Sequence, residues 1–246
     1  MKRFFKDKGD KVNVNNENDT KNNDRGITEI VMILDRSGSM GGLESDTIGG
    51  FNSFIDKQKK EEGEAFVSVV LFDDVAEILY DRVPIQKVEK MNDRQYFVRG
   101  CTALLDAVGG AVKHTVRAQR KDKKDSRPDK TLFVIITDGL ENASIRFTYR
   151  EVKDMIEHEK EKYGWEFIFL GANIDAAAEA QRFGIHASRA AKFSNDSRGQ
   201  RLNYDTVSDV VRCMRAASCP GDISAIFEEE DMLADIREDN AKRGDK

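Results

Sequence analysis

The sequence is short of several things, and each shortage removes a class of function. It has three cysteines in 246 residues, Cys101, Cys213 and Cys219. They are too few and too scattered for a disulfide framework, and a reduced, cytoplasmic setting is the simpler expectation. No apolar run approaches the roughly 20 residues that a membrane-spanning helix needs. The N-terminal MKRFFKDKGDK is basic but lacks the apolar stretch of a signal peptide, so export is not expected. Without export, the N-x-S/T triplets at Asn18, Asn142 and Asn195 have little meaning. A basic excess is missing too: 40 Lys and Arg face 45 Asp and Glu, for a net charge of −5, which disfavours a dedicated nucleic-acid binder. Neither G-x-G-x-x-G nor G-x-x-x-x-G-K-[ST] occurs, which argues against a nucleotide-cradling loop. G-x-S-x-G is absent as well, and no His or Lys is placed as a base for a serine nucleophile. No His or Cys pair has the spacing of zinc or copper ligands.

What is present is one generous domain with polar ends. Charged residues make up 35% of the chain and hydrophobic ones 39%. Residues 1–26 are rich in Asn, Lys and Asp, and the expectation there is a polar, disordered segment. Residues 219–246 end in a mostly charged stretch, expected to be a solvated helix or disordered tail. Residues 27–218 then hold the core, enough for one well-buried α/β domain.

Within that range strands and helices alternate. Ile27–Leu34 (ITEIVMIL) is a β-branched apolar run, the pattern of a strand buried on both faces. Ile48, Phe51, Phe54 and Ile55 recur at helical spacing, and Gly63 follows as a stop signal. Ala65–Phe72 reads as a second buried strand. Ala76–Val83 alternates and predicts an edge strand, hairpinned through Asp73–Asp74. A helical stripe runs from Leu104 to Val116. Thr131–Thr137 (TLFVIIT) is the strongest strand. A helix around Val152–Ile156, a strand at Glu166–Leu170, a helix at Ala176–Phe183, a short strand at Ala190–Phe193 and a helix at Asn203–Met214 complete the order. This pattern implies a three-layer Rossmann-like α/β fold: a mostly parallel sheet, one antiparallel edge strand and helices on both faces. Such sheets bind ligands beyond the carboxyl ends of their strands, at the point where strand order reverses.

Three loops at those ends carry the informative residues. The first is Asp35-Arg36-Ser37-Gly38-Ser39-Met40, directly after a buried strand. In an extended loop alternate side chains face one way, so Asp35, Ser37 and Ser39 can converge. The second loop, Gly100-Cys101-Thr102, adds the Thr102 hydroxyl just before a helix. The third, Thr137-Asp138-Gly139, adds a second carboxylate at the end of the strongest strand. Five oxygen side chains suit a hard cation, and Mg²⁺ prefers six oxygens, some from water. Ser37, Ser39 and one Asp are the expected direct ligands, the others acting through water. Two carboxylates and neutral hydroxyls leave such an ion electrophilic, and an open position would favour an acidic group from a partner protein.

DRSGSM after an apolar strand, GCTALLDA before a helix and ITDG after a later strand resemble a von Willebrand factor A domain, over about residues 27–215. The five positions Asp35, Ser37, Ser39, Thr102 and Asp138 match that family's metal-ion-dependent adhesion site. The resemblance implies a Rossmann-like fold, Mg²⁺ or Mn²⁺ at the site, and protein binding rather than catalysis. The cytosolic character resembles the intracellular bacterial and phage members, including those of tellurium-resistance type. A metal-dependent hydrolase on the same cage is the competing reading, weakened because two-metal hydrolases need more carboxylates.

Other polar residues have plainer expectations. Asp73 and Asp74 read as hairpin-turn residues, and Asp106 as support for a helix start. Glu141, Asn142, Asn173 and Asp175 read as rim residues. Cys101 reads as a small packed residue beside Thr102, Trp165 as packing, and His114, His158 and His186 as surface or core histidines. Neither the partner's identity nor an oligomeric state can be read from the chain.

Overall fold

The computed structural model describes residues 26–217, 223, 225–227 and 230–243. Residues 1–25, where the polar N-terminal segment was expected, lie outside the described residues. The elements run β1 (Ile27–Asp35), α1 (Glu44–Gln58), β2 (Glu64–Phe72), β3 (Ala76–Pro84), α2 (Leu104–Lys121), β4 (Lys130–Thr137), α3 (Tyr149–Tyr163), β5 (Glu166–Gly171), α4 (Ala176–Arg182), β6 (Ala190–Lys192), α5 (Ser197–Ala216) and α6 (Ala234–Arg243). Six strands form one sheet in the order β3-β2-β1-β4-β5-β6. Every pairing is parallel except β2–β3, so the expected antiparallel edge strand is there.

The strand pleat sorts the core into two layers. Ile30, Met32 and Leu34 of β1 face α1 and α5, whose Phe51, Phe54, Val207 and Val211 meet them. Val31 and Ile33, on the other face, meet α2, α3 and α4 through Leu104, Val108, Val152 and Phe183. A strand covered on both sides can be apolar throughout, which is why β1 and β4 read as unbroken runs. Helix α3 starts with a capping box between Thr148 and Glu151 and stops at Gly164, whose φ of 64° an L side chain would resist. Trp165 is buried and stacks on Phe133, the packing role expected of it.

The charged C-terminal stretch, expected as a solvated helix or a disordered tail, is helical in part of its described residues, but that helix is docked rather than solvated. It forms α6, and Leu233 and Ile236 are buried in the α1–α5 layer at 0% and 1% exposure. Arg237 ties the helix to the sheet edge, donating to the carbonyls of Ala190 and Ser188. Apolar residues scattered among many charges were too sparse to show a helical stripe, yet Leu233 and Ile236 pack into the core beside Ile223 and Phe227.

Candidate metal centre

The chain leaves β1 toward β2 on one side and returns through β4 on the other. The strand order therefore reverses between β1 and β4. Their carboxyl ends carry Asp35 and Thr137-Asp138. Asp35 is 1% exposed. Its Oδ1 accepts the Ser37 N–H at 2.7 Å, which turns the loop so that Ser37 follows on the same side. Its Oδ2 accepts the Thr137 hydroxyl at 2.6 Å, tying β1 to β4 across the reversal. The Ser37 and Ser39 hydroxyls are 3.1 Å apart, and Ser39 Oγ donates to Asp138 Oδ1 at 2.5 Å. Asp35, Ser37, Ser39 and Asp138 thus form one continuous polar cluster.

Thr102 lies at the N-terminal side of α2 and flanks this cluster across Gly139. A Cβ on Gly139 would lie 3.4 Å from Thr102 Oγ1 and 3.7 Å from Ser39 Oγ, so the absence of a side chain at 139 lets these hydroxyls share a space. Thr102 is fixed by its backbone: its N–H donates to Asn142 Oδ1 at 2.9 Å and its carbonyl accepts the Asn142 N–H at 3.1 Å. Ser39 is the exposed member of the five, while the other four are buried. The cluster therefore opens outward at Ser39.

The electrostatics of this cluster are unusual. Burial pushes the Asp35 carboxyl up to about 6, against the lowering effect of the Thr137 and Ser37 hydrogen bonds, and the nearby Asp138 charge adds to the rise. Burial likewise raises Asp138, opposed by Ser39 and Asn195. Among the described residues neither carboxylate has a Lys, Arg or His within ion-pair distance. Arg36, next in sequence to Asp35, turns away to Asp73 and Glu77, at 2.7 and 2.8 Å. Two neighbouring buried carboxylates without a cation are costly, because each must ionise in a poorly solvated place beside a like charge. A divalent cation would remove that cost. Among the described residues no three His, Cys, Asp or Glu side chains gather as a metal cluster. The donors here are two carboxylates and three hydroxyls, all hard oxygens, and they fit Mg²⁺ or Mn²⁺ rather than a soft metal.

Several supporting residues escaped the sequence reading. Thr137 closes the β1–β4 contact; it stands next to Asp138 in the strongest strand and could have been noticed. The Tyr96 hydroxyl donates to the Asp35 carbonyl at 2.5 Å. Asn195 Nδ2 donates to Asp138 Oδ2 at 3.1 Å, although no local signal links residues 57 apart. Asn173, one of the expected rim residues, donates from Nδ2 to the Asp138 carbonyl at 3.5 Å. The expected rim residue Glu141 instead turns inward, accepting the N–H groups of Leu105, Ala143 and Ser144. Asp106, expected to support the helix start, lies in the first turn of α2, and its carboxylate accepts the N–H groups of Ile145, Arg146 and Phe147. Together they clamp the loop after β4 onto the start of α2. Asp175 caps α4 by accepting the Ala178 N–H.

Asp73 sits in the hairpin turn but does more than turn it. Burial opposes its charge, yet Arg99, the Val75 N–H and Arg36 outweigh burial and hold its carboxyl below the usual range. Cys101 is exposed rather than packed, because its N–H is drawn to Asp74 Oδ1 at 2.9 Å on the rim.

The sheet order and the helix layers are those of a von Willebrand factor A fold. Solved structures agree. One is a von Willebrand factor type A protein from Catenulispora acidiphila, 16% identical with a TM-score of 0.52 over 78% of this chain. This chain spans 42% of that protein's length. Another is the von Willebrand factor domain of the type V pili tip protein Mfa5 from Porphyromonas gingivalis, 12% identical with a TM-score of 0.53, covering 76% of this chain and 96% of that one. At such identities the likeness is one of fold. No family model and no curated protein matches the sequence. Among the described residues no helix is long and apolar enough to cross a membrane.

Proposed function

We propose that this chain is a protein-binding module that holds Mg²⁺ or Mn²⁺ with Asp35, Ser37, Ser39, Thr102 and Asp138 and uses the ion to grip an Asp or Glu of a partner. The observation that carries this reading is the pair of buried carboxylates, Asp35 and Asp138, with no cationic side chain in ion-pair distance among the described residues, and an exposed hydroxyl, Ser39, at the opening. When bound, the ion supplies a Lewis-acidic centre. The chain's own residues do the rest. Thr137 and the Ser37 N–H orient Asp35, and Asn195 orients Asp138. The Asn142–Thr102 backbone pairing fixes Thr102, which is buried, beside Gly139. The reading is non-catalytic, with neutral hydroxyls leaving the ion under-neutralised so that an incoming carboxylate gains Coulomb energy. On this reading the partner is a protein rather than nucleic acid or a membrane, and the setting is cytoplasmic, in keeping with three scattered cysteines in the sequence.

The test has two arms. Calorimetric titration should show one dominant Mg²⁺ site, lost in Asp35→Ala and in Asp138→Ala. Capture of a partner from the native host should fall with Thr102→Ala and with EDTA, and return when Mg²⁺ is added back. Capture that is unchanged across all three conditions moves the interface off this face. Phosphoester turnover by the purified protein, abolished by Asp35→Ala, would replace the reading with a hydrolytic one.

A further inference from the structure

A cavity of about 310 Å³ opens between helix α2 and the β2–β3 hairpin. Val31, Val70 and Ala111, all buried, contribute apolar lining, and Phe147 adds an aromatic wall. Exposed Lys113, Arg117 and Arg146 also line it. Among the described residues none of these three forms an ion pair. Lys113 and Arg146 lie over the Phe147 ring instead, at 4.4 and 6.0 Å from its centre. His114 borders the cavity but is engaged by Asp81 at 2.8 Å. One carboxylate, Asp106, also lines it, and its oxygens accept three backbone N–H groups, which spread its charge.

An independent observation comes from the backbone of α2. Two glycines, Gly109 and Gly110, sit inside this helix, where glycine is disfavoured. Gly109 is explained by packing: a Cβ there would fall 2.8 Å from the Phe147 ring. Gly110 is not, because a Cβ there meets nothing within 4 Å, and the residue borders the cavity. No packing contact demands this glycine, and a large side chain at 110 would have the cavity to grow into.

We propose that this cavity binds a compact anionic amphiphile, a small molecule with an apolar body and a terminal carboxylate or comparable anion. The body rests on Val31 and Val70 against Phe147, and the anion lies among Lys113, Arg117 and Arg146. A small molecule is favoured over a peptide because the space has the size of a small ligand pocket and its cations, from two separate elements, surround one opening. No residue of the metal cluster lines the cavity, so this site stands or falls independently of the metal.

The probe is 1-anilinonaphthalene-8-sulfonate, titrated by fluorescence into the full chain with and without EDTA. Saturable one-site binding, indifferent to EDTA, is expected. Gly110→Phe fills the space and Lys113→Glu/Arg117→Glu reverses the charge, so each should weaken the probe by about tenfold or more. Circular dichroism melts establish that both variants are folded. Decanoate should displace the probe, and decanol should not. Undiminished binding in folded Gly110→Phe, equal displacement by decanol, or loss of binding in EDTA each overturns the proposal. Displacement by an acidic peptide where decanoate fails would also overturn it, making the cavity a protein-docking groove.

Discussion

Asp35 shows how a single residue can link metal, proton and stability. Burial lifts its carboxyl from 3.8 to about 6 when no ion is present. Between those values the folded chain keeps a proton that the unfolded chain has released. The stabilising contribution is therefore complete below the ordinary value and lost as pH rises through about 6. Two pH units correspond to an upper bound of roughly 3 kcal/mol. Urea melts in EDTA should weaken between pH 4 and 6.5, and Asp35→Asn should flatten that slope. Asp138, raised in the same direction, leaves a smaller residual slope. The same proton competes with a cation, so Mg²⁺ affinity should fall about tenfold per pH unit below 6. Affinity that is flat from pH 5 to 7 would mean that Asp35 does not titrate at the site. Gly110 allows a prediction of opposite sign. Its Cβ position is empty space in a helix, so Gly110→Ala should raise stability by about 0.5–1 kcal/mol, read from the denaturant midpoint.

Among the elements, α6 tests where the domain ends. Leu233 and Ile236 enter the same layer as Phe51, Val207 and Met214. Arg198 pairs with Asp239 at 2.8 Å, and Ser194 Oγ donates to Asn240 Oδ1 at 3.2 Å, so α5 and the loop before it also hold the helix. Burying two large aliphatic side chains is worth roughly 3–6 kcal/mol as an upper estimate. A chain truncated after Phe227 should lose stability on that scale in urea, with the midpoint falling accordingly. An unchanged midpoint would make α6 a dispensable appendage. At the opposite edge, Arg36 joins the first site loop to the β2–β3 hairpin through Asp73 and Glu77, and Arg99 joins the loop before α2 to the same Asp73. The loops that carry the cluster are thus braced by the hairpin, which contributes none of its five residues.

For the whole molecule, an ion that binds only the folded state must stabilise all of it. At a hundredfold excess over its dissociation constant, Mg²⁺ should add about 2.7 kcal/mol to unfolding. Thermal melts with Mg²⁺ and with EDTA should separate accordingly, while Asp138→Ala should melt alike in both. Equal melts of the unsubstituted chain across a wide Mg²⁺ range would leave the two carboxylates unexplained by metal.

Sequence by itself determined the strand and helix order, because a strand buried on both faces must be apolar throughout and an amphipathic helix must repeat every 3.6 residues. It also put Asp35, Ser37, Ser39 and Asp138 on two loops at the carboxyl end of the sheet, where β1 and β4 both end, and Thr102 on a third loop just before a helix. What bound those loops into one site was decided only in three dimensions. Thr137 meeting Asp35, Asn195 meeting Asp138 and Asn142 meeting Thr102 are contacts between distant segments, and no local periodicity encodes them. Asp106 and Glu141 carry the same lesson, since a carboxylate in a loop looks identical whether it faces solvent or three backbone N–H groups. The cavity beside α2 and the docking of α6 were equally invisible. Both depend on which few side chains meet across a gap, and the sequence average there is dominated by charge.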